Sequence, residues 1–156
     1  MGTGRRTGVA FWVMLAAVVA AGVAGGGEKP MTKPEGAFER IRASTPAKDG
    51  VKEISYAQFM EIRGSGEPYV LLDVLTDDSF RDGHIEGAKN LPSDRITKET
   101  AGGILTKESR VVVYCGGFLC KASTAAAKKL EALGYAVLDY KGGLKEWKEK
   151  GHALAR

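Results

Sequence analysis

Apolar residues from residue 51 onward follow two alternating patterns, short unbroken runs and runs spaced three or four positions apart. Val111 to Tyr114 is the clearest unbroken run. Rich in Val and bounded by turn residues, it reads as a strand buried on both faces. Directly after it come Cys115, a short loop with Gly116 and Gly117, and an Ala-rich segment. There Ala126, Leu130 and Leu133 recur at helical spacing before Gly134, which suits a C-cap. Tyr69 to Val74, carrying Asp73 near its end, predicts a second buried strand. Val51 to Ile54, Ala88 to Leu91 and Ala136 to Tyr140 predict shorter ones. Ser55 is placed as the N-cap of a helix bearing Tyr56, Phe59 and Ile62 and closed by Gly64. A final helix, anchored by Leu144 and Trp147, follows the Gly142-Gly143 turn and ends at Gly151. Thr76 to Gly83 holds a short helix at most, and the Gly102-Gly103 pair argues against one long helix over Ile96 to Leu105. Alternating strands and helices predict an α/β fold, a parallel sheet covered by helices on both faces and joined by right-handed crossovers.

The amino end has a different pattern. Arg5 and Arg6 precede an apolar run of 13 residues, Val9 to Ala21, followed by the small residues Gly22 to Gly25. Residues 1–24 therefore predict a secretory signal, and with it a periplasmic or secreted protein. The Arg pair also admits a twin-arginine reading. A membrane helix needs about 20 apolar residues, so membrane contact is expected only through this segment if it stays uncleaved. Residues 25–50, with three consecutive glycines and Pro30, Pro34 and Pro46, predict a flexible linker holding one or two helical turns around Phe38 and Ile41. The globular domain is expected over residues 51–156.

Composition adds little to this division. With 44% hydrophobic and 27% charged residues, the chain can build one core. A net charge of +4, not gathered into a basic run, gives no reason to invoke nucleic acid. Two His and two Cys, dispersed as they are, predict neither a metal site nor a cofactor.

Cys115 carries the candidate chemistry. It leaves the carboxyl end of a central parallel strand, the edge at which open α/β sheets place their ligands. Backbone N–H groups of the loop and of the following helix start are expected to converge on it, and with a nearby Lys they can lower a thiol pKa to roughly 3.5–7.5. A substantial thiolate fraction on Cys115 is the expectation. Gly116, Gly117, Phe118, Leu119, Cys120 and Lys121 then form the substrate-binding loop, in which the glycines let N–H groups point inward and Lys121 adds a point charge. Cys120 stays open between a disulfide partner, a thiol that resolves a persulfide on Cys115, and a buried spectator. His84, in Gly83-His84-Ile85, is expected to fix a turn rather than move protons, while His152 falls near a disordered end. Asp73 is expected either to cap a neighbouring loop or to face the pocket.

The spaced motifs also carry a resemblance. LLDVLTDDSFRDGHIEGAKNLP, Leu71 to Pro92, resembles the D-V-R…F…G-H-I-x-G-A-x-N-[IL]-P stretch of rhodanese-like domains. VVVYC, followed by GYAVLDYKGGLKEWKEKGHAL, is similar to that family's active-site strand and closing helix. The resemblance implies a rhodanese-like α/β fold with a central parallel five-stranded sheet. It implies that Cys115 takes a sulfane sulfur as a persulfide from a small sulfur-containing anion and passes it to a thiol or a protein acceptor. Leu75 stands where the family commonly has Arg after Asp-Val. In place of C-x4-R the chain has Cys120 and then Lys121, in a loop about two residues longer than usual, a C-x-G-x-x-C variant. The C-x5-K spacing leaves room for a Cys-dependent phosphatase or arsenate reductase, and the scaffold for a non-catalytic binding module.

Overall fold

A computed structural model describes residues 36–156. The expected signal at residues 1–24 lies outside the described residues. In chain order the elements are α1 (Ala37–Ser44), β1 (Ala47–Lys48), β2 (Val51–Ile54), α2 (Tyr56–Gly64), β3 (Val70–Asp73) and α3 (Asp77–Asp82). Then come β4 (Lys89–Asn90), α4 (Lys98–Gly102), β5 (Arg110–Tyr114), α5 (Ala122–Ala132), β6 (Ala136–Tyr140) and α6 (Gly143–Glu149). The sheet order is β1-β2-β6-β5-β3-β4. β2, β6, β5, β3 and β4 run parallel, as the α/β pattern predicts, and β1 adds a sixth, antiparallel edge strand that sequence reasoning did not find. Among the described residues no helix is long and apolar enough to cross a membrane.

β5 is apolar throughout because both of its faces are covered. Val111, Val113 and Cys115 point into the cluster with Ala126, Ala127 and Leu130 of α5. Val112 and Tyr114 point into the opposite cluster with Phe59 and Ile62 of α2 and Trp147 of α6. This alternation, set by the two-residue period of a strand, puts the Cys115 side chain on the α5 face. α2 begins as its sequence dictates: the Ser55 hydroxyl accepts from Gln58 N at 3.3 Å, and the Gln58 side chain accepts from Ser55 N at 2.9 Å.

Three expectations need correction. The stretch read as a linker carries α1, eight residues long, whose Phe38 and Ile41 are buried with Phe59 and Val112, so the domain reaches back past residue 51. The helical turns expected around Phe38 and Ile41 are there; what the Gly and Pro content concealed is their packing onto the domain. The strand expected over Ala88 to Leu91 narrows to Lys89–Asn90, while Ile96 to Leu105 holds only the five-residue α4, as the Gly102-Gly103 pair implied. His152 is ordered: its ring stacks on Trp147 with centroids 4.0 Å apart and lies 2.6 Å from the Tyr56 hydroxyl.

Candidate active site

The loop after β5 is tied down from both ends. Leu144 N donates to Cys115 O at 3.0 Å and Lys145 N to Gly116 O at 3.0 Å, so the first turn of α6 holds the loop backbone. That approach requires Gly143, at φ +54°, because a Cβ there would lie 2.1 Å from Cys115 O. Within the loop, Cys120 N donates to Gly117 O at 2.9 Å, closing a turn that pushes Phe118 and Leu119 outward. Leu119 is 97% exposed.

Both cysteines are free thiols, and their surroundings differ. Cys115 is 1% exposed, with its sulfur 3.3 Å from the buried Ser123 hydroxyl and 3.6 Å from the Cys120 carbonyl. Cys120 is half-buried and lines a pocket of about 370 Å³ with Gly116, Gly117, Phe118, Leu119 and Lys145. Backbone N–H groups do converge on the loop, but they are divided: Gly117 and Ser123 serve Cys115, while Gly116 and Ala122 serve Cys120. Burial pushes the Cys115 thiol up and its hydrogen bond with Cys120 pushes the same way, outweighing the N–H donors. For Cys120 burial also acts upward, but the hydrogen bond from Cys115, the two N–H groups and the Lys141 charge pull its thiol below the ordinary value. The downward shift expected for Cys115 is thus found for Cys120 instead: position at the end of a strand foretold the donors but not the burial of Cys115.

The positive charge is also displaced. Lys121 is the exposed N-cap residue of α5 and faces a neighbouring groove with Lys48, Glu53 and Lys128. Its place at the loop is taken by two residues that sequence reasoning missed. Lys145 lines the pocket, and Lys141 Nζ donates to Cys120 O at 2.8 Å and Thr124 Oγ1 at 2.7 Å. Lys141 also lies 3.9 Å from Asp139 Oδ2, which accepts from the Thr124 hydroxyl at 2.9 Å. Asp139 is fully buried, its Oδ1 has no hydrogen-bond partner, and burial raises its pKa despite the nearby hydroxyls of Ser123 and Thr124. An Asp inside the otherwise apolar Ala136–Tyr140 was the signal the sequence offered.

His84 fixes its turn, as expected: Nδ1 lies 3.0 Å from Phe80 O, and the ring stacks on Phe80. Asp73 caps its own loop by accepting from Leu75 N at 2.9 Å. Neither reaches the pocket.

A family model described as the rhodanese-like domain matches residues 55–150, more than half of the chain. The chain belongs to the rhodanese-like family. This rhodanese-like domain is 31% identical over 98 residues to the HTH-type transcriptional regulator Rv0324 of Mycobacterium tuberculosis, covering 63% of this chain and 42% of the regulator. It is 29% identical over 75 residues to the thiosulfate sulfurtransferase PspE of Escherichia coli, covering 48% of this chain and 70% of that enzyme. The chain thus spans less than half the length of the regulator. Among solved structures, the BH2092 protein from Bacillus halodurans matches with a TM-score of 0.61 at 28% identity, over 66% of this chain and 75% of that one. A rhodanese-like domain from Anabaena matches with a TM-score of 0.58 at 28% identity, over 66% and 77%.

Proposed function

We propose that this domain is a sulfurtransferase, acting outside the cytoplasm, that holds a sulfane sulfur as a persulfide in the Cys115–Cys120 loop. One observation carries the reading: two free thiols lie five residues apart in one loop at the carboxyl end of β5, the Cys115 sulfur held by Ser123 and the Cys120 carbonyl, and Cys120 faces a pocket edged by Lys145. Such a loop suits both a thiolate and the small sulfur-containing anion that it attacks. The thiolate forms a bond to the donor's sulfane sulfur, the remainder of the donor leaves with the electron pair, and a thiol or protein acceptor later removes the outer sulfur. Similarity to a thiosulfate sulfurtransferase supports this chemistry. The export reading rests on Arg5, Arg6 and the apolar run that follows. Incubation with thiosulfate, mercaptopyruvate or polysulfide is expected to add the mass of one sulfur atom to the Cys115–Cys120 segment. A result with neither an adduct nor sulfide release from any donor overturns the reading.

A phosphatase is disfavoured because Lys121, the cation of the C-x5-K spacing, faces the neighbouring groove. A non-catalytic binding role is the second reading, favoured by the burial of Cys115 and the match to a regulator.

A further inference from the structure

We propose that the acceptor of this domain's sulfur is a protein, and that it docks an acidic, cysteine-bearing segment with one apolar anchor on the face formed by Phe118, Leu119 and the lysines of α5. The proposal rests on the sulfurtransferase reading and names the kind of acceptor that the site takes.

The apolar part of the face lies at the loop tip. Among the described residues, the large hydrophobic side chains left exposed are Phe118, at 52%, and Leu119. They stand side by side, turned outward by the bond from Cys120 N to Gly117 O. A turn of this kind needs no apolar residue at its tip, so exposing two of them adds nothing to the stability of the fold. Both line the pocket that Cys120 and Lys145 share, and both line the neighbouring groove, so one apolar ridge joins the two. Whatever packs against that ridge reaches the mouth of the sulfur pocket.

The groove supplies the charge. Lys48, Lys121, Lys128 and Lys141 line it, against Asp49 and Glu53. Lys141 lies 3.9 Å from Asp139 and Lys48 3.9 Å from Glu53, but Lys121 and Lys128 are exposed and make no ion pair among the described residues. Seven positions apart, with the exposed Ala125 between them, they share the outer face of α5 and its start. A positive groove beside an apolar ridge complements a segment whose carboxylates flank an apolar anchor.

Other occupants fit less well. Two copies of the chain paired about a twofold axis on this face would set lysine against lysine. Residues 1–35 carry Arg5, Arg6, Lys29 and Lys33 against Glu28 and Glu35, the wrong sign for the groove. A membrane lying over the ridge would cover the pocket mouth, whereas a peptide segment can place its own cysteine there. Transfer then needs no further reactant. The acceptor thiolate attacks the outer sulfur of the loop persulfide, the bond from that sulfur to the loop cysteine breaks, and the loop thiolate leaves with the electron pair. The sulfane sulfur changes hands without net oxidation.

The test uses the full chain and two synthetic peptides, each with one cysteine and one leucine, flanked by glutamates in the first and by lysines in the second. Binding to the unloaded chain is read by fluorescence anisotropy on dye-labelled copies with serine for cysteine. Sulfur transfer from the polysulfide-loaded chain is read by peptide mass and compared with transfer to 2-mercaptoethanol. The acidic peptide is expected to bind at least tenfold more tightly than the basic one at low salt and to accept sulfur at least tenfold faster. That advantage should fall below about threefold in roughly 0.5 M salt. Lys121→Glu/Lys128→Glu is expected to erase the preference. Lys128→Glu alone should cut it at least threefold, with loading and transfer to 2-mercaptoethanol unchanged. Leu119→Ser is expected to lower the ratio of peptide to 2-mercaptoethanol transfer at least fivefold. Equal binding and transfer for the two peptides, with loading intact, overturns the docking face and leaves the transferase reading standing. A binding preference with no loading by any donor overturns the transferase reading, and the acceptor role with it, while the face remains a docking site. Self-association, or binding to phosphatidylglycerol vesicles, that is lost in Lys121→Glu/Lys128→Glu and takes the place of peptide binding overturns the choice of occupant.

Discussion

Two buried aspartates stand at the same edge of the sheet, Asp73 at the end of β3 and Asp139 near the end of β6, and they have been put to different uses. Both are fully buried, both have one carboxylate oxygen engaged and one without a partner, and burial raises the pKa of both. Asp73 is tied to backbone. It accepts from Leu75 N, while Asn90 Nδ2 donates to the carbonyls of Asp73 and Leu75 at 3.0 Å each. Asp139 is tied to side chains that can move: Thr124, Lys141 and the neighbouring Ser123. Residue type and burial are therefore not enough to mark a reactive corner. What distinguishes the Asp139 corner is that its partners also touch the two cysteines, Ser123 at the Cys115 sulfur and Lys141 at the Cys120 carbonyl.

The largest effect is expected from the glycines that close the two corners. Gly143→Ala puts a Cβ 2.1 Å from Cys115 O at a φ of +54°, a clash with backbone that no rotamer relieves. It should cost about 2–4 kcal/mol in urea unfolding and abolish sulfur uptake, since the loop can no longer rest on α6. Gly83→Ala at the other corner meets Leu154 Cδ1 at 2.8 Å, the far end of a flexible side chain, with extended backbone. Its cost should be about 1 kcal/mol or less, with uptake retained. Equal costs at the two sites would remove the argument that the reactive loop is the more tightly built.

A smaller effect is expected at the cation between Asp139 and Cys120. Lys141→Met should slow alkylation of Cys120 at neutral pH by about three- to tenfold, because the thiolate loses a nearby positive charge. It also leaves Asp139 buried without its ion pair, a loss of about 1–3 kcal/mol at neutral pH. The loss should shrink as pH falls and the carboxyl protonates. A Lys141→Met protein that alkylates like wild type would show that Lys141 serves only to hold the loop carbonyl.

The strands and most helices were legible in the sequence because each is specified locally. Val111–Tyr114 is apolar on both faces, Ser55 and Gln58 form a capping box, and Ala126 and Leu130 share a helix face. The loop chemistry was legible only in outline. Cys115 and its glycines are consecutive, so their place at the sheet edge could be read. That 1% of Cys115 is exposed follows from α5 closing over β5, and that Lys141 replaces Lys121 follows from the turn after β6 folding back onto Cys120. Neither is contained in any short stretch. The helical turns around Phe38 and Ile41 were legible, but their place in the core was not, because their partners Phe59 and Val112 lie far along the chain.

The smallest effect belongs to the locked corner. Asp73→Asn keeps an oxygen to accept from Leu75 N and removes a charge that burial penalises. Because the folded carboxyl has a pKa above its ordinary value of 3.8, the folded state binds the proton more tightly than the unfolded chain. Wild type therefore loses stability as pH rises from 3.8 to the folded value, and the Asn variant does not. The variant should gain about 1 kcal/mol at neutral pH and nothing below the ordinary carboxyl value, with Cys120 alkylation unchanged at every pH. Urea unfolding at neutral and acid pH measures the gain. A loss of stability at neutral pH would mean that the interactions opposing burial, the hydrogen bond from Leu75 N first among them, are the stronger influence on Asp73. A change in Cys120 alkylation would be more consequential, because it would couple the two corners through β5 and end the distinction between a carboxylate that only caps a loop and one that shapes the chemistry.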